Sequence, residues 1–224
     1  MIMLLVIGLI VTAGCPNSND LRSQLKKAKS GDWTKHNATS TMTMTVLGTV
    51  NAKTGESTVL EEVISNDGKM LRLRETTTSG TEKGSNEIII DMSQSLEEIA
   101  QSMFKQGLER GIYSFPGDVA IKNLKIEFGK STTDSISVAG KKYNCVVEPM
   151  TVTGTFVVAG NADFPGATAN FTASGTGWRS PAVSIGGLVK SEMEMNMEMN
   201  VMEMKMNMKA NMTQTLDSFG KGGR

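Results

Sequence analysis

Methionine supplies most of the chemistry this 224-residue sequence has to offer. Nine of its 17 Met fall between Met193 and Met212. Met193, Met195, Met197 and Met199 recur at a spacing of two, as do Met202, Met204, Met206 and Met208, and Glu192, Glu194, Asn196, Glu198 and Asn200 interleave with the first four. A spacing of two places side chains on one face of a strand. Thioethers are flexible and polarisable, so a face lined by these eight Met accommodates apolar ligands of varied shape, such as a lipid or an acylated peptide. Soft thioethers also prefer Cu(I). A Cu(I) site built from Met-x-Met pairs is therefore the alternative, and His36, Met42 and Met44 gather the same residue types earlier in the chain. Each set also has a plain structural reading, under which the protein is a structural envelope lipoprotein without a ligand. Met fills an irregular core between sheet and helix, His36 is a solvent-facing residue ahead of a strand, and Glu192, Glu194 and Glu198 form a solvated strand face rather than a hard-cation site.

Enzymatic arrangements are missing wherever a motif would reveal them. A single His removes most His-dependent catalysis and any multi-His metal cage. Gly129-Lys130-Ser131 has the ending of a phosphate-binding loop, but Leu124 stands where that loop needs its first Gly, and the segment is a turn. There is no Gly-x-Ser-x-Gly elbow and no Gly-x-Gly-x-x-Gly between a strand and a helix. Cys145 lacks the cationic neighbour or helix N-terminus that makes a thiolate, and reads as a small buried hydrophobe. The protein is expected to be non-enzymatic and to need no cofactor. With 23 basic and 23 acidic residues there is no net charge, hence no bulk field for nucleic acid.

Residues 1–14 are uncharged and nearly all apolar, yet too short to span a bilayer core that needs roughly 20 residues. They read as a cleaved signal segment. Thr12-Ala13-Gly14-Cys15, followed by the polar Pro16 to Asp20, resembles the lipobox of bacterial lipoproteins. That resemblance implies diacylglyceryl transfer to the Cys15 sulfur, cleavage before Cys15 and acylation of the new amino terminus, which together anchor a chain to a membrane. Pro16 is not the inner-membrane retention residue Asp, so the expected location is the cell envelope, on the outer membrane facing the periplasm. With Cys15 lipidated, Cys145 stands alone and no internal disulfide forms.

Strands must position the Met faces, because period-two alternation and turn signals recur along most of the chain. Candidate strands are Thr41 to Val46, Val59 to Ile64, Met70 to Glu75, Glu87 to Ile90, Leu124 to Phe128, Ser135 to Val138, Tyr143 to Glu148, Val152 to Val158, Asn170 to Ser174 and Val183 to Val189. Turns are expected at Lys53 to Glu56 and at Asn66-Asp67-Gly68. Parity slips at Val201-Met202, so a bulge or tight turn belongs there. As a helix, the Met segment would wrap apolar groups all round. Two amphipathic helices are expected, about Asp20 to Lys29 capped by Asn19 or Ser18, and about Ser95 to Glu109 burying Leu96, Ile99, Met103 and Leu108.

Val138-Ala139-Gly140-Lys141-Lys142-Tyr143-Asn144-Cys145, with the later run from Trp178-Arg179-Ser180-Pro181 to Gly186-Gly187-Leu188-Val189-Lys190, is similar to exported bacterial proteins of the LolA/LolB/LppX lipoprotein-carrier superfamily. The resemblance implies an α+β fold: a strongly curved antiparallel sheet, an unclosed half-barrel, with one or two helices packed in its concave face and an apolar cavity between them. It implies no catalytic residue. The expected organisation is a leader (1–14), lipidated Cys15 with a short linker (15–20), and one half-barrel domain (21–224) with Met-rich C-terminal strands.

Overall fold

The computed structural model describes residues 18–95, 98–99, 101–103, 106, 119–160, 166–201 and 204–222. Cys15, Met202 and most of the expected second helix lie outside these residues. A first helix, α1 (Ser18–Lys27), precedes ten strands: β1 (Trp33–Val46), β2 (Thr49–Asn66), β3 (Met70–Ser79), β4 (Glu82–Asp91), β5 (Val119–Phe128), β6 (Thr132–Val138), β7 (Lys141–Val158), β8 (Ala167–Arg179), β9 (Leu188–Val201) and β10 (Met204–Gly220).

The strands form one antiparallel sheet in the order β4-β3-β2-β1-β10-β9-β8-β7-β5, with β6 also on β7. The edges β4 and β5 do not pair, so the sheet is unclosed. Laid flat at about 4.8 Å per strand, those edges would stand nearly 40 Å apart. Instead, Ile88 and Ile90 of β4 share one core with Ile126 of β5, Met195 of β9 and Leu25 and Ala28 at α1. That shared core requires the sheet to curl around its contents. Register shifts at Lys35/His36, Val63/Ser65, Lys122/Lys125 and Trp178/Arg179 supply local bends.

The helices plug the concave face. Asn66 Nδ2 donates to the Leu25 and Ala28 carbonyls at 2.9 and 2.8 Å, satisfying acceptors at the end of α1. Arg22 donates to the Gln94 carbonyl, which ties α1 to the segment after β4. At the second helix, Ser95 and Glu98 form a reciprocal capping box. Residues 98–99, 101–103 and 106 are helical, and Ile99 and Met103 are buried.

A second core unites Val138, Tyr143 and Cys145 with Val183, Val189 and Leu216. On β7, Tyr143 and Cys145 have the opposite parity to Met150 and Val152 of the first core, whereas on β10 Leu216 of the second core is in phase with Met212 and Ala210 of the first.

Four local expectations are corrected. The turn expected at Lys53 to Glu56 is strand, because pairing with β1 continues unbroken from Thr49 to Glu62. The reversal sits instead at Leu47-Gly48, both with positive φ, the geometry of a two-residue hairpin turn. Tyr143 to Glu148 and Val152 to Val158 are one strand running through Pro149. Val183 to Ile185 precede β9 rather than belonging to it, because Ile185, Gly186 and Gly187 all take positive φ, which no strand tolerates. His36 lies inside β1 and is buried, not ahead of a strand in solvent.

Candidate functional site

Cross-strand register sorts the concave face into rows. Nearest the α1 end, Thr34, Glu61 and Glu75 stand side by side on β1, β2 and β3. A second polar row runs Glu148–Gly177–Ser191–Gln214–Ala38 from β7 to β1. Beyond it the rows turn apolar: Met150–Gly175–Met193–Met212–Ser40, then Val152–Ala173–Met195–Ala210–Met42, then Gly154–Phe171–Met197–Met208–Met44, and finally Phe156–Ala169–Met199–Met206–Val46. The interior is polar at one end and thioether-lined at the other.

Small residues on β8 make room for the Met. A Cβ on Gly175 would meet the Glu192 carbonyl at 2.8 Å and the Met193 side chain at 3.3 Å, so only glycine fits. Phe171 covers Gly154 and stacks on Phe156 with ring centroids 4.6 Å apart.

Burial falls along the Met rows. Met193, Met195, Met197 and Met212 are buried in the main core, so they fill it. Met42, Met199, Met206 and Met208 are half-buried, and Met44 is 39% exposed at the rim. Met204 is placed by its backbone pairing with Val201, and the parity slip coincides with this strand reversal. The structure thus brings seven of the eight Met of the C-terminal run onto two adjacent strands, and adds Met42 and Met44 to the same face.

His36 is not brought to Met42 and Met44. Six residues of strand separate His36 from Met42, about 20 Å. Its Nε2 donates to the Leu188 carbonyl at 3.1 Å, and burial holds its pKa down at about 4, against the raising effects of that bond and of Asp217. It is a neutral core histidine. Glu192, Glu194 and Glu198 face outward and pair with Lys190, Lys209 and Lys205 at 2.6, 2.9 and 3.4 Å. Among the described residues no group of three His, Cys, Asp or Glu is placed to hold a metal. The buried Cys145 thiol is pushed up to about 11 by burial, with Asp134 adding to the rise, so it is not a nucleophile at neutral pH.

The buried polar end was not anticipated. Arg179 donates to Glu148 at 2.9 Å and to the Gly186 carbonyl at 2.6 Å, both inside the protein. This ion pair anchors the loop that joins β8 to β9, and Ser184 donates to the Trp33 carbonyl at 3.2 Å. On the other side of the sheet, Lys190 lies over the Trp178 ring at 4.9 Å. Glu61 accepts from Thr34 at 2.9 Å. Burial pushes its carboxyl up to about 7, while Thr34 and Arg179 pull the other way. The sequence held one signal for this cluster: Glu61 is in phase with Val59 and Val63, and Glu148 with Met150 and Val152.

Two grooves, of about 530 and 170 Å³, lie mainly against the outward residues of these same strands, among them Ser174, Thr176, Glu192 and Asn211 for the larger and Thr43, Asn196, Asn207 and Lys209 for the smaller. Both are open grooves.

No family model matches the chain, and no curated protein does. Among solved structures, the chain is similar to a protein of Bacteroides fragilis described as exported and of YmcC-like fold, at 11% identity and a TM-score of 0.37, with 87% of this chain and 97% of that chain covered. It also matches a LolA superfamily protein of Nitrosomonas europaea at 9% identity and a TM-score of 0.17, covering 94% and 95% of the two chains. The unclosed antiparallel sheet with helices on its concave face stands on the strand pairing itself.

Proposed function

We propose that this is a non-enzymatic cell-envelope protein, held on the outer membrane facing the periplasm through Cys15, that shelters an acyl chain on the half-open end of its Met-lined face. The acyl chain belongs to a lipid or to an acylated peptide. One observation carries the reading: the thioether surface continues past the filled core into rows where Met42, Met199, Met206 and Met208 are only half covered and Met44 is exposed. From β7 to β1 those rows hold no charged side chain on the concave face, and Lys53 of β2, exposed, continues the Met42 row. A flexible, partly open thioether surface suits a chain of methylenes, each worth about 0.8 kcal/mol when buried. Anchoring at a bilayer supplies such chains at high local concentration. The deep Met, from Met193 to Met197, support the face from below and do not touch the ligand.

The test is saturable binding of a dansyl-labelled undecanoic acid to the full-length chain in mild detergent. The Met44→Glu/Met206→Glu variant should lose binding, whereas Met70→Glu, on a surface site of similar exposure, should keep it. Displacement by phospholipid or by a tripalmitoyl peptide then separates the two ligand sources. Failure of the parent protein to bind, or equal binding by both variants, refutes the reading.

A further inference from the structure

Among the described residues, methionine is the one side chain that three neighbouring strands place in a single row. Met44 of β1 is the register partner of Met208 of β10, and Met208 that of Met197 of β9. Directly opposed residues on one face have Cβ atoms about 4.5–5.5 Å apart, closer than residues two apart along one strand at about 6.6 Å. Each thioether hangs on three rotatable bonds, so the sulfurs of Met44 and Met197 can close on that of Met208 from either side. We propose that Met44, Met197 and Met208 form a three-thioether site for one soft monovalent cation, Cu(I).

The donor set and its surroundings agree with that ion. Neutral sulfur selects Cu(I) over hard or borderline cations. No carboxylate shares this face at these rows. Glu194 and Glu198 lie on the opposite face, paired with Lys209 and Lys205, so nothing there recruits Ca²⁺ or Mg²⁺ to the concave side. Access is graded: Met44 stands 39% exposed, Met208 is half-buried and Met197 is 4% exposed. An ion meets Met44 first and is drawn down to the other two. The comparable row Met150, Met193 and Met212 is split by Gly175 and buried throughout, at 4, 6 and 4% exposure. With all three of its Met buried, it serves as an internal comparison. The site differs from a Met-x-Met pair and from His36 with Met42 and Met44, because the ligands come from three strands rather than one. It shares a face with the acyl reading and does not depend on it.

The full-length chain, labelled with ¹³C at the Met methyls, is titrated with Ag(I) as an air-stable stand-in and then with Cu(I) under anaerobic reductant. The expected result is that the Met44, Met197 and Met208 methyl signals move together and saturate at one equivalent, while Met70, which is 37% exposed outside the row, stays in place. Met44→Leu and Met208→Leu remove a sulfur at nearly constant volume. Each should weaken binding by at least the ~10- to 100-fold that loss of a supporting partner costs a metal site. Met70→Leu should leave it unchanged. Shifts spread over Met70 and the other exposed Met, a titration that does not saturate, or unaltered affinity in Met44→Leu overturns the proposal. Met44 is at the rim, so its Leu variant folds even if Met208→Leu does not.

Discussion

Replacing Glu61 by Gln should change how stability depends on pH more than it changes the structure. In the folded protein the Glu61 carboxyl is raised from its ordinary value of 4.5 to about 7, because burial disfavours the charge more than Thr34 and Arg179 favour it. Glu75 stands beside it in register, and the Arg179 guanidinium that faces it is already committed to Glu148. Between about pH 4.5 and 7 the folded state therefore keeps a proton that the unfolded chain has released, and stability falls as pH rises through that window. At about 1.4 kcal/mol per pH unit the loss is on the order of 3 kcal/mol. His36 acts in the opposite sense. Its folded value of about 4 lies below the ordinary 6.5, so stability rises with pH across about 4 to 6.5, again by on the order of 3 kcal/mol. The two slopes cancel over most of the shared window. Glu61→Gln keeps an acceptor for Thr34 and removes one slope, which exposes the other. Urea melts of both proteins from pH 4 to 8 give the difference curve. Parent and variant should diverge between pH 4.5 and 7 by up to about 3 kcal/mol in favour of the variant, with constant separation above pH 7. A difference curve that is flat across the whole range refutes the assignment of a protonated, buried Glu61.

Three further outcomes follow from the packing. Arg179→Met strands the buried Glu148 carboxylate and releases the Gly186 carbonyl, so urea melts at pH 7 should show a loss of about 3–5 kcal/mol; a loss under 1 kcal/mol would mean that the pair anchors nothing. Met193→Ala should cost about 2–5 kcal/mol as a core cavity, whereas Met44→Ala at the rim should stay within about 0.5 kcal/mol; equal costs would contradict the burial gradient. Cys145, buried and with its thiol raised to about 11, should resist a disulfide reagent at pH 8 and react only as fast as the protein opens; rapid stoichiometric labelling of the native state would be inconsistent with its place in the second core.

Periodicity carried the sequence reading furthest where one face of a strand is buried over a long run. The Met alternation from Met193 onward, its slip at Val201, the Asn66-Asp67-Gly68 turn and the helical stripe of Leu25 and Ala28 are local patterns, and each reappears in the fold because burial of one face enforces period and parity. Turn chemistry was less dependable. Lys53-Thr54-Gly55-Glu56 has good turn residues, yet the hairpin tip at Leu47-Gly48 set a register in which Gly55 lies opposite Ser40 within the ladder. Pairing energy along an entire strand outweighs the preference of four residues.

The sequence by itself determined that the chain is an antiparallel β protein with helices on one face, that it offers no recognisable enzymatic motif, and which residues of each strand share a side. These follow from nearest neighbours along the chain. Only the tertiary structure decided which strands are adjacent, and therefore that Met44, Met208 and Met197 form one row, that Arg179 meets Glu148, and that His36 is buried against the Leu188 carbonyl. Those partners lie 164, 11, 31 and 152 positions apart in the order Met44 to Met208, Met208 to Met197, Arg179 to Glu148 and His36 to Leu188. The curl of the sheet, set by the packing of all its strands at once, chooses among such contacts, and no single strand's alternation encodes that choice.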